Sequence, residues 1–281
     1  MRTRKRTGWR RIVNGVNIAG LISVLFIALP LYWMTIGSFE TPANLASSPP
    51  QWFPVPGTTA NYSTAFSQYH FWIFFRNSLI VTIIATALVL ALGTLAGYAL
   101  GRTPMRGKFS LLVVLLMISV FPEIAIIAPL YLLMREIGWL NSYQALILPY
   151  TAFNLPFAIW ILRNYFLGIP KEMEETGRID GAGPLRTMWS IVLPQALPGL
   201  FTAGIFCFTA CWTEFLMALT FNAQTNFQTI PVGIATFGTQ DITPFPTIFA
   251  ASVVAVIPIG ILVFIFRKFV ISGLTSGAVK G

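Results

Sequence analysis

The chain has 281 residues, 56% of them hydrophobic and only 10% charged, with a formal net charge of +9 and a mean hydropathy of +0.73. Its apolar runs reach the roughly 18 to 20 residues that a helix needs to cross the hydrocarbon of a bilayer. That excludes a soluble globular domain and makes the chain an all-α integral membrane protein, read as a single transmembrane domain over 1–281.

The first residues, MRTRKRTGWRR, carry six Lys and Arg and precede an apolar run over 12–37. That run is too long for a signal h-region of about 7–15 residues, so it is read as an uncleaved first span. Five more spans follow, at 77–101, 109–134, 143–167, 197–221 and 247–266. The stretch between the first two holds Pro42, Pro49, Pro50, Pro54 and Pro56 with Trp52 and Tyr69. Interfacial packing of its aromatics accounts for it more simply than a separate folded domain does. In the second span Gly93, Gly97 and Gly101 stand four apart, a strip against which another helix can pack closely. Prolines at 122, 129, 149, 156, 194, 198 and 258 are expected to break or kink several helices.

Charge fixes the expected orientation. The N-terminal tail, the 102–108 loop, the 163–196 region and the C-terminal tail hold sixteen of the eighteen Lys and Arg; only Arg76 and Arg135 lie on the other side. The positive-inside rule then puts six spans in the membrane with both termini cytoplasmic. The positive charge is an orientation signal, and nucleic acid is not needed to explain it.

Little chemistry is encoded. Cys207 and Cys211, four apart in an apolar run, read as small buried residues, and His70 has no metal-ligand partner at suitable spacing. GRTPMRGKF resembles a phosphate-binding loop only superficially. Its two glycines are one residue too far apart, and Phe109 stands where a magnesium-holding Ser or Thr is required. Neither a metal nor a cofactor is expected in this chain.

One segment departs from this apolar background. Lys171 to Asp180 holds six of the twenty-seven charges. Glu172, Glu174 and Glu175 suit the first turn of a helix starting after Pro170, where the dipole favours carboxylates. Glu174 and Arg178 are spaced to pair across one turn. DGAG at 180–183 then breaks the helix, and PLRTMWSIVLP starts another amphipathic piece. A helix-turn-helix with three glutamates is a poor anionic-membrane anchor. It suits docking to a soluble partner.

The run from Glu175 resembles the EAA loop of binding-protein-dependent ABC importer permeases, which reads E-A-A, three residues, Gly, then I-x-L-P. Here it is Glu175-Thr176-Gly177, Arg178-Ile179-Asp180, Gly181-Ala182, and Ile191-Val192-Leu193-Pro194; Thr176-Gly177 replaces the two alanines. NYSTAF at 61–66, NSL at 77–79, PLYLLMREIGWLNS at 129–142, LPFAIWILRNYF at 155–166, CWTEF at 211–215 and SGLTSGAVKG at 272–281 extend the likeness along nearly the whole chain. It is similar to the smaller permease of the maltose-type sugar importers.

The resemblance implies a type I ABC importer permease fold in the cell membrane of a prokaryote. It also implies a second homologous permease, two cytoplasmic ATPase subunits that hold the ATP and magnesium, and an extracytoplasmic sugar-binding protein. Within the coupling loop 168–196, Glu175, Arg178, Ile179, Asp180, Gly181, Ala182, Ile191 and Pro194 would engage the ATPase. In the tail 267–281, Gly273, Leu274, Thr275, Gly277 and Lys280 would touch it too. The last outer loop would meet the binding protein through Asn222, Gln224, Asn226, Gly238, Thr239 and Gln240.

Glu123, Tyr131, Asn154 and Glu214 are candidates to line a polar translocation path, since a charge inside a span must face the bundle interior or water. For Glu214 a structural role bonding freed backbone amides is preferred; for Glu123 both readings stand. A secondary transporter would need several coupling-ion groups and usually an internal repeat, neither evident here. No His/Asp or Ser/His set lies within the spans, which disfavours an intramembrane enzyme. An ABC permease for a polyol or glycerophosphodiester stays open.

Overall fold

The computed structural model describes residues 15–238 and 243–278, with nothing assigned to the side chains of Val16 and 270–278. In chain order the helices are α1 Gly15–Gly37, α2 Pro42–Leu45, α3 Ala60–Ser67, α4 Phe71–Arg102, α5 Lys108–Val120, α6 Glu123–Glu136, α7 Gln144–Gly168 and α8 Glu172–Ile179. They continue with α9 Pro184–Thr187, α10 Leu193–Gln195, α11 Leu197–Thr213, α12 Leu216–Phe221, α13 Ile230–Ala235 and α14 Phe245–Ala278. No strand occurs among the described residues. A single π-helical turn, Met188–Val192, joins α9 to α10.

Among the described residues four stretches are each long and apolar enough to cross a membrane: Asn17–Gly37, Phe71–Arg102, Gln144–Gly168 and Phe245–Phe269. Six are reached only if two bent pairs count as one span each, Lys108–Val120 with Glu123–Glu136 (87°) and Pro184–Gln195 with Leu197–Thr213 (77°). The third span expected over 109–134 is therefore two helices, with the break at Pro122, one of the prolines expected to break or kink a helix. Phe121 and Pro122 both take extended backbone, since proline donates no N–H and drives its predecessor out of the helical region. The fifth, expected over 197–221, is interrupted at Glu214, also extended. The last helix is longer than expected and runs through Pro258 to Ala278.

The chain divides into two compact units. In the larger, α4 and α7 lie closest, and the glycine strip explains why. A Cβ on Gly97 would stand 3.1 Å from the Arg163 amide nitrogen and from Leu162 Cβ, and one on Gly101 would stand 3.4 Å from the Arg163 carbonyl. The helix backbones thus approach as the spacing predicts. Val81, Ala85 and Val89 of α4 pack with Leu146, Tyr150, Leu162 and Phe166 of α7. Cys207 and Cys211 of α11 and Met217 and Phe221 of α12 complete this core, both cysteines buried and free.

In the smaller unit the Pro-rich stretch folds back on the end of α1. Asn61 Nδ2 donates to the carbonyls of Ser38 (2.9 Å) and Glu40 (2.8 Å), Tyr32 donates to the Trp52 carbonyl at 2.9 Å, and Trp52 meets Trp33 edge to face. Gly37 leaves space for Phe249, whose ring lies 2.6 Å from where a Cβ would be.

Candidate functional site

Two polar features stand out from the apolar bundle of the larger unit. The first is the helix-turn-helix built by α8, α9, the π-helical turn and α10. The acidic first turn and the break at DGAG form as the sequence predicts. α8 ends with Ala182 N–H donating to the Gly177 carbonyl at 2.9 Å, and Gly181 sits at φ +77°, a left-handed position that glycine adopts without cost. Gly177 is buried, with Ile191 Cδ1 only 2.3 Å from where its Cβ would be. The glycine that replaces an alanine of the motif thus lets the second helical piece lie close against the first.

The buried side of this hairpin is Glu174, Gly177, Thr187, Met188 and Val192. Glu175, Arg178, Asp180, Gly181 and Pro194 are exposed, Ala182 and Ile191 partly so. Large apolar side chains are exposed beside them: Ile179 at 85%, Leu185 at 69% and Trp189 at 52%. Leu185 and Trp189 were outside the sequence-derived docking set; their signal is two large apolar residues in the helical piece that follows the charged segment and Gly183.

The expected Glu174–Arg178 pair does not form. Glu174 turns inward to Arg102, the last residue of α4, with Arg102 Nε 3.0 Å from Glu174 Oε1 and the two side chains only 3% and 9% exposed. Burial explains the choice: an exposed i,i+4 pair gains a few tenths of a kcal/mol, whereas a charge beside an unpaired buried Arg is strongly held.

The second feature is a polar cavity of about 70 Å³ lined by Glu123, Tyr150, Phe153, Asn154, Ala210, Cys211, Glu214 and Met217. It brings together Glu123, Asn154 and Glu214 but not Tyr131, which packs on the core instead. Glu214 is the keystone of the break between α11 and α12. Its Oε1 accepts from the Met217 N–H at 2.7 Å, and its Oε2 accepts from the Ala218 N–H at 3.1 Å and from the Tyr150 hydroxyl at 2.5 Å. These are the orphan amides of the new helix, so the structural role preferred for Glu214 has a geometry. Asn154 Nδ2 donates to the Tyr150 carbonyl at 2.8 Å. The cavity's volume is well below the roughly 300 Å³ and more of a typical small-molecule site, so it does not make a full sugar site by itself. A second cavity of about 200 Å³, between α4, α11 and α14, is lined by apolar residues with Thr86 the only hydroxyl.

Of the residues expected to meet a binding protein, Asn222 is fully buried and tied inward. Its Oδ1 accepts from the Ser142 N–H at 3.2 Å, and its Nδ2 donates to the carbonyls of Ser142 and Phe227, both at 3.1 Å. It cannot offer a contact surface in this conformation, because its polar atoms are spent on the backbone of Ser142 and Phe227. Gln224 and Asn226 are exposed and Gly238 partly so; Thr239 and Gln240 lie outside the described residues. Asn77, of the NSL piece, is a structural anchor that the sequence left without a role. It donates to the carbonyls of Asn226 (2.8 Å) and Gln228 (2.9 Å) and accepts from the Tyr143 hydroxyl at 2.9 Å. Gly273, Leu274, Thr275 and Gly277 fall on the backbone of α14 with undescribed side chains, and Lys280 lies outside the described residues.

Long apolar helices, a small polar cavity and a charged helix-turn-helix with a bare apolar tip are the makings of a multi-pass membrane permease. Residues 91–276 match the binding-protein-dependent transport system inner membrane component family, to which the chain belongs. It is 39% identical to the sulfoquinovosyl glycerol transport system permease protein SmoH of Agrobacterium fabrum, over 94% of this chain and 93% of that one. To the trehalose/maltose transport system permease protein MalG of Thermococcus litoralis it is 35% identical, over 94% and 95%. In fold it is similar to a chain of a bacterial ABC transporter involved in the import of alginate, with a TM-score of 0.76, 22% identity and coverage of 95% and 99%.

Proposed function

We propose that this chain is the smaller permease subunit of an ATP-driven, binding-protein-dependent carbohydrate importer. Family membership and the sugar permeases among its relatives support carbohydrate import. In this reading six spans, counting the bent pairs as one each, place both termini and the α8–α10 hairpin in the cytoplasm of a prokaryotic cell, as the Lys and Arg distribution favours. The chain pairs with a second permease over two ATPase subunits, which hold the ATP and magnesium, and receives sugar from an extracytoplasmic binding protein. The residues proposed to meet that protein are Gln224, Asn226, Gly238, Thr239 and Gln240, and those proposed to meet the ATPase include the tail residues Gly273, Leu274, Thr275, Gly277 and Lys280.

The observation that carries the proposal is the hairpin tip. Ile179 and Leu185 are bare on a rigid support, flanked by Glu175 and Arg178. An exposed apolar patch rimmed by charge is the mark of a docking surface. Glu123 and Asn154 border the path, and a full sugar site needs the second permease to complete it, because the cavity here is far smaller than a typical small-molecule site. Purification from native membranes in mild detergent tests the proposal. An ATPase subunit and a second permease should be recovered with the chain. A chain that stays alone across several detergents yet moves solute in liposomes would be a secondary transporter.

A further inference from the structure

Arg102 does more than neutralise Glu174. As the last residue of α4 it lies where the helix dipole favours a cation. Its Nη2 donates to the carbonyl of Ile169, the residue that caps α7, while its Nε faces Glu174 in the first turn of α8. One guanidinium therefore holds the ends of three elements. Its planar fork presents several donors in fixed directions, which suits that task better than a single ammonium does. The Tyr98 side chain, one turn earlier on α4, faces the same carboxylate and stacks edge to face on Phe166 of α7. Below this point the glycine strip already locks α4 to α7. Only Ile169, Pro170 and Lys171 link α7 to α8, so without the tie α8 has a short hinge about which to swivel. The ion pair meets as charges rather than as an aligned hydrogen bond. Buried pairs of this kind fix geometry more reliably than they add stability.

We infer that Arg102 is a positioning residue for coupling: it fixes α8 to the α4–α7 pair, so that displacement of the docking hairpin is delivered to α7. α7 carries Tyr150 and Asn154 on the polar cavity, and Tyr150 bonds to Glu214. The inference rests on the coupling role proposed for α8, but the attachment itself is measurable without an ATPase.

The test uses the full chain in nanodiscs with Cys207 and Cys211 replaced by Ala, and spin labels at Leu167→Cys on α7 and Thr176→Cys on α8. Removing one partner leaves a buried unpaired charge and endangers the fold, so the informative variant is Arg102→Met/Glu174→Met, which removes both charges at similar volume. The α7–α8 distance distribution should broaden while the thermal midpoint stays near that of the parent. In the full assembly, basal ATP hydrolysis should persist and stimulation by sugar-loaded binding protein should fall about tenfold, a usual size for coupling between sites. A distribution as narrow as the parent's, or a broad one with full stimulation, overturns the inference. Failure of the parent chain to recover an ATPase sinks the proposed function instead, while the distance measurement still decides whether Arg102 holds α8.

Discussion

Glu214 and Glu40 are both acids in an apolar protein, and they differ in what surrounds them. Glu214 spends both oxygens on the amides of Met217 and Ala218 and the Tyr150 hydroxyl. Losing a helix cap costs about 1 kcal/mol, and orphaning the buried Tyr150 hydroxyl adds about 1–3 kcal/mol. Glu214→Ala should therefore lower the thermal unfolding midpoint of the purified chain, and Glu214→Gln, which keeps one of the two acceptor oxygens, should lower it less and retain transport. A Gln variant that is stable but fails to transport would move Glu214 from scaffold to path. Glu40 is buried with Oε1 lacking a hydrogen-bond partner, and burial raises its pKa above the ordinary carboxylate value. A raised folded pKa means that the folded state holds the proton more tightly than the unfolded chain. This contribution to stability is full below the unfolded pKa and is lost as pH rises through the folded one. Thermal midpoints should then decline with rising pH above about 4.5, the unperturbed value. Glu40→Gln should flatten that decline; an unchanged pH profile in the variant would contradict this.

Among the elements, the α4–α7 pair and the α8–α10 hairpin decide the mechanics. Gly97→Ala puts a methyl group 3.1 Å from two atoms of α7, and overpacking of this kind costs about 1–3 kcal/mol. The variant should unfold at lower temperature, and Gly20→Ala, with open space around it, should not. Gly181→Asp meets no neighbour but must hold φ +77°, so it strains the turn and adds a charge beside Ile179. It should insert normally and recover less ATPase; full recovery with normal transport would remove the turn from the docking surface. The glycine strip and the hairpin were legible in the sequence because each is local, a fixed spacing or a composition change within twenty residues. Pro122 was among the prolines expected to break or kink a helix, without the choice between the two, and the break at Glu214 was not placed. A proline in an apolar run signals a kink or a stop equally well, and whether an acid caps a new helix depends on where the next amides lie. Glu174's partner was out of reach for another reason. Arg102 stands seventy-two positions earlier, and only the packing of α4 on α7 brings it near.

At the scale of the whole molecule, the chain is an inner membrane component of a transport system. Its polar cavity is too small to make a full sugar site by itself, its hairpin tip is bare, and α1 exposes most of its apolar surface from Ile18 to Tyr32. Each is intelligible if other subunits and lipid complete the structure, and the family to which the chain belongs supplies that expectation. The central claim is that the bare tip docks an ATPase. A photoreactive amino acid at Leu185, introduced into the chain in its native membrane, tests it most directly. Illumination should yield one major adduct with a soluble ATP-hydrolysing subunit, diminished by Gly181→Asp. Adducts with lipid alone, in membranes that still transport, would contradict the account.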